Sequence, residues 1–176
     1  MEILKTPLLD CLILKPTIYA DERGYFFESF NRATFQKLSG MDIDFVQDNQ
    51  AKSNYGIIRG LHFQHGEFAQ AKLVRVLQGK VLDVVVDYRA DSPTYLQHFA
   101  IELNDENNLQ LFVPRGFAHG YSVLEDDTIF VYKCDNYYNK ASEGGIYFND
   151  PSLQIDWKIP EDKMILSEKD QQLPRL

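Results

Sequence analysis

Leu73-Val74-Arg75-Val76-Leu77, then Gln78-Gly79, then Val81-Leu82-Asp83-Val84-Val85-Val86-Asp87-Tyr88, closed by Asp91-Ser92-Pro93, is the stretch whose reading decides the fold. Both runs are rich in β-branched and aromatic residues and are bounded by turn formers, the pattern of strands. The short Gly-containing step between them predicts a hairpin. Further strand-like runs follow at Phe99–Leu103, Leu109–Val113, Tyr121–Leu124 and Thr128–Lys133. Short strands at this spacing, without long helical patterns between them, predict an all-β sandwich or barrel. Helix is confined to Asn31–Leu38, ahead of Gly40, and to a short turn within Pro160–Asp170.

Side chains alternate across a strand, so the same reading says which residues can meet. Lys72, Val74 and Val76 share one face, Asp83 and Val85 share one across the expected hairpin, and His62 shares one with Gln64 in the preceding strand. If these are inner faces, a His, a Lys and an Asp project into one barrel mouth, where small ligands bind in such folds.

Composition narrows the partners. The chain has 176 residues, with 26 Asp and Glu against 18 Lys and Arg, for a formal charge of −8. That length predicts one domain, residues 1–176, with a core large enough to need neither disulfide nor metal staples. An acidic chain lacks the positive field that draws a protein to nucleic acid or to an anionic membrane, so neither is an expected partner. Any phosphate it binds must be met by a local cluster of Arg or Lys. Cys11 and Cys134 are too few for a disulfide framework and have no zinc spacing, which fits a reducing cytoplasm. No basic leader precedes an apolar stretch, and no run approaches the roughly 20 apolar residues of a membrane span.

Three segments carry chemistry: Arg59-Gly60-Leu61-His62-Phe63-Gln64, Gln70-Ala71-Lys72-Leu73-Val74, and Pro114-Arg115-Gly116-Phe117-Ala118-His119-Gly120. With Asp21 to Glu28, Gln47-Asp48-Asn49, Asp83 to Asp87 followed by Arg89, Tyr132-Lys133, and Asn149-Asp150-Pro151 before Trp157, they form an ordered set along nearly the whole chain. The set resembles the dTDP-4-dehydrorhamnose 3,5-epimerase family, of the cupin-like jelly-roll class. The resemblance implies an all-β, cupin-like jelly-roll barrel with a few short helices. It also implies a homodimer that exchanges N-terminal strands, a dTDP-sugar substrate, and inversion of C3 and C5 of dTDP-4-dehydro-6-deoxy-D-glucose with no cofactor and no metal.

That chemistry needs a base for a C–H beside a ketone, a cation near the oxygen that becomes an enolate, and an acid on the opposite face. By the resemblance, His62 is the base, Lys72 the cation and Tyr132 the acid. A His suits proton abstraction near neutral pH, and a fixed cation stabilises charge that develops only in the transition state. The carboxylate that orients His62 is Asp170 by resemblance, while strand facing alone nominates Asp83. The resemblance further assigns Arg23 and Arg59 to the diphosphate and Glu28, Gln47 and Asn49 to placing the nucleotide. Phe26 and Tyr138 go to the thymine ring, His119 to the sugar-diphosphate end, and Glu143 and Lys169 to the ligand. Position 121 is Tyr where the family often has Phe, which adds a hydroxyl near the site.

Blander readings stand beside these. A lone His in a β-rich chain is usually a satisfied polar side chain, Lys usually snorkels from a strand, and Asp170 sits in a charged tail that would ordinarily be solvated. His65 and His98 fall at no usable motif position and are expected at the surface or in turns. A metal-binding cupin would carry an HxH pair; here Gln64 replaces the second His, and a nearby ammonium at Lys72 opposes a dication. The rival functions are an epimerase acting at C3 or C5 only, on a related dTDP-4-keto-6-deoxy sugar, and a non-catalytic nucleotide-sugar binding module.

Overall fold

The computed structural model describes residues 1–176. Two antiparallel sheets dominate. The strands in chain order are β1 Glu2–Lys5, β2 Leu12–Lys15, β3 Tyr19–Asp21, β4 Gly24–Phe26, β5 Gln47–Ser53, β6 Ile58–Gln64, β7 Lys72–Gln78, β8 Lys80–Asp87, β9 His98–Asn104, β10 Gln110–Val113, β11 Phe117–Val123, β12 Thr128–Cys134 and β13 Glu143–Gly145. One sheet runs β1-β2-β10-β7-β12-β5 and the other β13-β6-β11-β8-β9, while β3 and β4 pair as a separate two-stranded hairpin. The helices are α1, Arg32–Ser39, and α2, Glu168–Gln171. The Asn31 side chain caps α1 by accepting from Thr34 N–H, and Gly40 ends it at φ 76°. No helix is long and apolar enough to cross a membrane.

The six-stranded and five-stranded sheets face each other, and side chains from both fill the space between. Val74 and Val76 on β7, Val81 and Val85 on β8, Phe117 and Tyr121 on β11, and Phe130 on β12 meet in this central core. Each sheet is also covered on its back. Leu82, Val84 and Val86 of β8 point away from the centre and pack under Ile146, Phe148, Leu153 and Trp157 of the C-terminal region. On the other side, Phe35 of α1 packs on Leu12, Leu14, Leu73 and Phe112. Burial on both faces explains why β8 reads as a continuous apolar run rather than an alternating one.

The expected hairpin at Gln78-Gly79 does not form. β7 pairs with β10 and β12, whereas β8 pairs with β11 and β9, so consecutive strands lie in opposite sheets. Gly79, at φ 78°, turns the chain from one sheet to the other, held by Asp105 and by Thr128 accepting from Lys80 N–H. A Gly in the left-handed region serves a sandwich corner as well as a hairpin turn, and local sequence does not separate the two. Asp83 therefore faces the Lys72 side of the molecule across the sandwich, not across a hairpin. This crossing places chemistry-bearing strands on two opposed walls.

Candidate active site

The site is a cleft of about 660 Å³ bounded by both sheets, lined by residues of β5, β6, β7, β11, β12 and the segment leading into α2. Its volume falls within the range of small-molecule sites. The five-stranded sheet supplies Arg59 and His62 from β6 and His119 and Tyr121 from β11. The six-stranded sheet supplies Lys72 from β7, Tyr132 from β12 and Asn49 from β5, and Lys169 and Asp170 come from α2.

A bulge brings Arg59 and His62 to the same wall. His119 pairs with His62 and Tyr121 with Arg59, so three steps along β6 match two along β11. The extra residue lets side chains three apart on a strand face one side. Gly60 carries that step at φ 113°, and a Cβ there would stand 2.6 Å from the Gly120 Cα and from the His119 carbonyl oxygen. Only glycine fits. Strand periodicity alone does not place Arg59 beside His62, because the bulge breaks the alternation.

His62 Nε2 meets Asp170 Oδ1 at 2.5 Å. The Asp170 side chain is 5% exposed and that of His62 33%, so the carboxylate is covered and the imidazole opens to the cleft. Asp170 N–H donates to Ser167 Oγ, which caps α2 and fixes the carboxylate's approach. Burial works to raise the Asp170 pKa, but the hydrogen bond and charge of His62 outweigh it and hold the carboxyl below its ordinary value. Of the two orienting carboxylates open from sequence, Asp170 is the one that touches His62. Asp83, fully buried, is hydrogen-bonded to His119 Nε2 through both oxygens, at 3.1 and 2.9 Å. Burial raises its pKa against the opposing influence of His119 and Lys72.

Lys72 makes no ion pair within the protein, and its Nζ stands 5.9 Å from the centre of the Tyr132 ring. Burial lowers its pKa, while Cys134 and Asp83 pull the other way. Burial also raises the pKa of the Tyr132 phenol, which keeps it protonated as a donor. The cleft thus holds an oriented imidazole on one wall and an ammonium and a phenol on the other. Such an arrangement can remove a proton, stabilise an adjacent oxyanion and deliver a proton from the far side.

A second recess of about 290 Å³ adjoins the cleft and shares His62, Lys72, Tyr132, Asn49 and Lys169 with it, adding Gln47, Tyr138 and Glu143. Lys169 pairs with Glu143 at 2.8 Å, and the Tyr138 phenol lies against the same carboxylate. Gln47 donates to Asn49 and accepts from Tyr138 N–H. Gln64 also borders this recess, but its amide is spent on the Phe68 carbonyl and the Asn139 N–H. No group of three or more His, Cys, Asp or Glu side chains is placed to hold a metal ion. His65 and His98 are exposed.

Three residues assigned by resemblance are not brought to this cleft by their own chain. Arg23 pairs with Asp21 on the exposed β3–β4 hairpin, Phe26 on the same hairpin is 69% exposed, and Glu28 accepts from Asn31 Nδ2 beside α1. The Asp83–His119 pair was half legible: alternation aims Asp83 inward, but which His it meets depends on sheet pairing.

Fold and site together define a cupin-like jelly-roll enzyme whose cleft is equipped for proton transfer at carbon. The chain belongs to the dTDP-4-dehydrorhamnose 3,5-epimerase family, whose model matches residues 5–176. It is 49% identical to the Salmonella typhimurium dTDP-4-dehydrorhamnose 3,5-epimerase, over 100% of this chain and 96% of that one. The crystal structure of the same enzyme from Elizabethkingia anophelis superposes with a TM-score of 0.97 at 57% identity, covering 99% of this chain and 96% of that chain. A 3,5-epimerase from Legionella pneumophila, solved in complex with dTDP-4-keto-L-rhamnose, gives 0.92 at 43% identity over 99% and 98%.

Proposed function

We propose that this protein inverts C3 and C5 of dTDP-4-dehydro-6-deoxy-D-glucose to give dTDP-4-dehydro-L-rhamnose. The observation that carries the reading is the division of the machinery between walls: His62 stands on the five-stranded sheet, and Lys72 and Tyr132 stand on adjacent strands of the six-stranded sheet. Inversion requires removal of a proton from one face of a carbon and its return from the other, and a base and an acid on opposed walls supply that.

In this reading His62, oriented by Asp170, takes the proton beside the C4 ketone. Lys72 stabilises the enolate oxygen, and Tyr132 returns a proton to the opposite face of the carbon. Arg59 and His119 hold the diphosphate end, supported by their place on the same wall as His62. Gln47, Asn49, Tyr138, Glu143 and Lys169 line the adjoining recess and receive the nucleotide. The working unit is a homodimer in which exchanged N-terminal strands carry Arg23, Phe26 and Glu28 to the partner subunit's cleft. In support, the β3–β4 hairpin leaves Tyr19, Tyr25 and Phe26 at 65, 62 and 69% exposure, unusual for aromatic side chains without a covering surface. Nothing in these steps calls for a cofactor, and the enzyme works in the cytoplasm, supported by its two free thiols.

The test is incubation with dTDP-4-dehydro-6-deoxy-D-glucose in D2O, followed by NMR. Deuterium at both C3 and C5 with an L-rhamno product is expected. Exchange at a single carbon would make the protein a mono-epimerase, and none would leave it a binding module.

A further inference from the structure

Tyr121 is 5% exposed and lines the cleft, yet its hydroxyl has no hydrogen-bond partner in the protein. No fully buried side-chain polar atom in the molecule lacks a partner, so the Tyr121 oxygen must itself be open to the cleft. A largely buried phenol ordinarily finds a partner. Here the partner has to come from the cleft's contents.

The ring is held rigidly. It stacks on Phe130 with centroids 4.1 Å apart and an interplanar angle of 22°, and it neighbours His119 at 6.5 Å. Its strand pairs with Arg59 on one side and Asp83 on the other. Asp83 is not its partner: the hydrogen bonds of that carboxylate are to His119. Burial raises the phenol's pKa, so the group stays neutral, able both to donate and to accept. A neutral hydroxyl of that kind complements another hydroxyl, whereas the anionic diphosphate is the natural partner of Arg59.

We propose that the Tyr121 hydroxyl is a substrate contact that hydrogen-bonds a ring hydroxyl of the bound hexose and sets selectivity for sugars that carry it. This rests on the nucleotide-sugar reading above. Its energetic weight is that of one protected hydrogen bond, about five- to tenfold in affinity.

The experiment compares the wild type with Tyr121→Phe by calorimetry, using dTDP-6-deoxy-D-glucose and dTDP. The sugar ligand has no ketone and cannot react, but it keeps the C2 and C3 hydroxyls. The variant removes only an oxygen with no protein partner and retains the Phe130 stack, so folding should be unaffected. Expected is a five- to tenfold loss of affinity for the sugar nucleotide, with dTDP affinity unchanged within about twofold. Unchanged affinity for the sugar nucleotide overturns the proposal. So does an equal loss for both ligands, which would put the contact at the nucleotide end. A wild type that binds both ligands but catalyses no exchange in D2O would sink the epimerase reading while leaving the Tyr121 comparison decisive. A wild type that binds neither ligand would sink both.

Discussion

His62 and Asp170, 108 residues apart in the chain, meet at 2.5 Å, with the carboxylate covered and the imidazole open to the cleft. The pair fixes the ring's orientation and leaves its other nitrogen free for chemistry. Asp83, more deeply buried, forms the corresponding pair with His119. The two His–Asp pairs lie on one wall and can be separated by experiment.

Asp170→Asn replaces an anionic acceptor with a neutral amide and removes the charge that stabilises an imidazolium at His62. Solvent exchange at C3 and C5 should slow by about 10²- to 10⁴-fold, with the protein still folded. Asp83→Asn should leave the exchange step less affected and weaken substrate binding, since it acts through His119. Equal loss of exchange in the two variants would contradict this division.

Acid and base should come apart in single variants. His62→Asn is expected to abolish deuterium incorporation at both carbons. In Tyr132→Phe the substrate should still lose protons to His62 but fail to invert, which NMR detects as exchange without an L-rhamno product. Unchanged inversion at C5 would remove Tyr132 from the acid's role.

Lys72→Ala should lower kcat by on the order of 10² or more, the effect of losing one oxyanion-stabilising group. A similar rate, measured by coupled reduction of the product, would place that charge elsewhere.

Gly60→Ala should destabilise the fold by about 2 kcal/mol or more, because the residue sits at φ 113° and its Cβ would stand 2.6 Å from backbone atoms of β11. Since Gly60 carries the bulge between Arg59 and His62, activity should fall further than the fraction of folded protein measured by thermal melting.

Asp87 gives a pH dependence unrelated to catalysis. Burial works to raise its pKa, but Arg89, Ser92 and Thr94 together hold it well below the ordinary carboxylate value. A depressed folded-state pKa stabilises the protein fully above the unfolded value, near ~3.9, and that contribution is lost as pH falls through the folded one. Asp87→Asn should therefore cost about 2 kcal/mol at pH 7. The gap in melting temperature to wild type should narrow as the pH is taken down below 3.

The β-rich architecture was legible because Val81–Tyr88 and its neighbours are apolar, branched and punctuated by turns. β5 carries no strand signal. Its sequence, Gln-Asp-Asn-Gln-Ala-Lys-Ser, has no large apolar side chain, and it forms the edge of its sheet with residues alternately exposed and half-buried. Gln78-Gly79 reads locally as a hairpin turn, because the decision between one sheet and two is made by distant pairing partners. His62 and Lys72 stand in recognisable motifs, whereas Asp170 lies in a stretch that composition assigns to solvent, and family resemblance alone points to it. Tyr121 differed from the expected residue by a single oxygen, and only the packing around it showed that this oxygen lacks a partner.

The opposed walls have a consequence for the interior of the protein. His62 belongs to one sheet and Tyr132 to the other, so the thickness of the packing between the sheets acts as a caliper on the gap that a sugar ring must fill. Phe130, stacked on Tyr121 and two residues before Tyr132 on its strand, is one of its jaws. Trimming such a side chain would detune the stereochemical outcome as well as loosen the fold, so the packing between the sheets is bound to the outcome of the reaction.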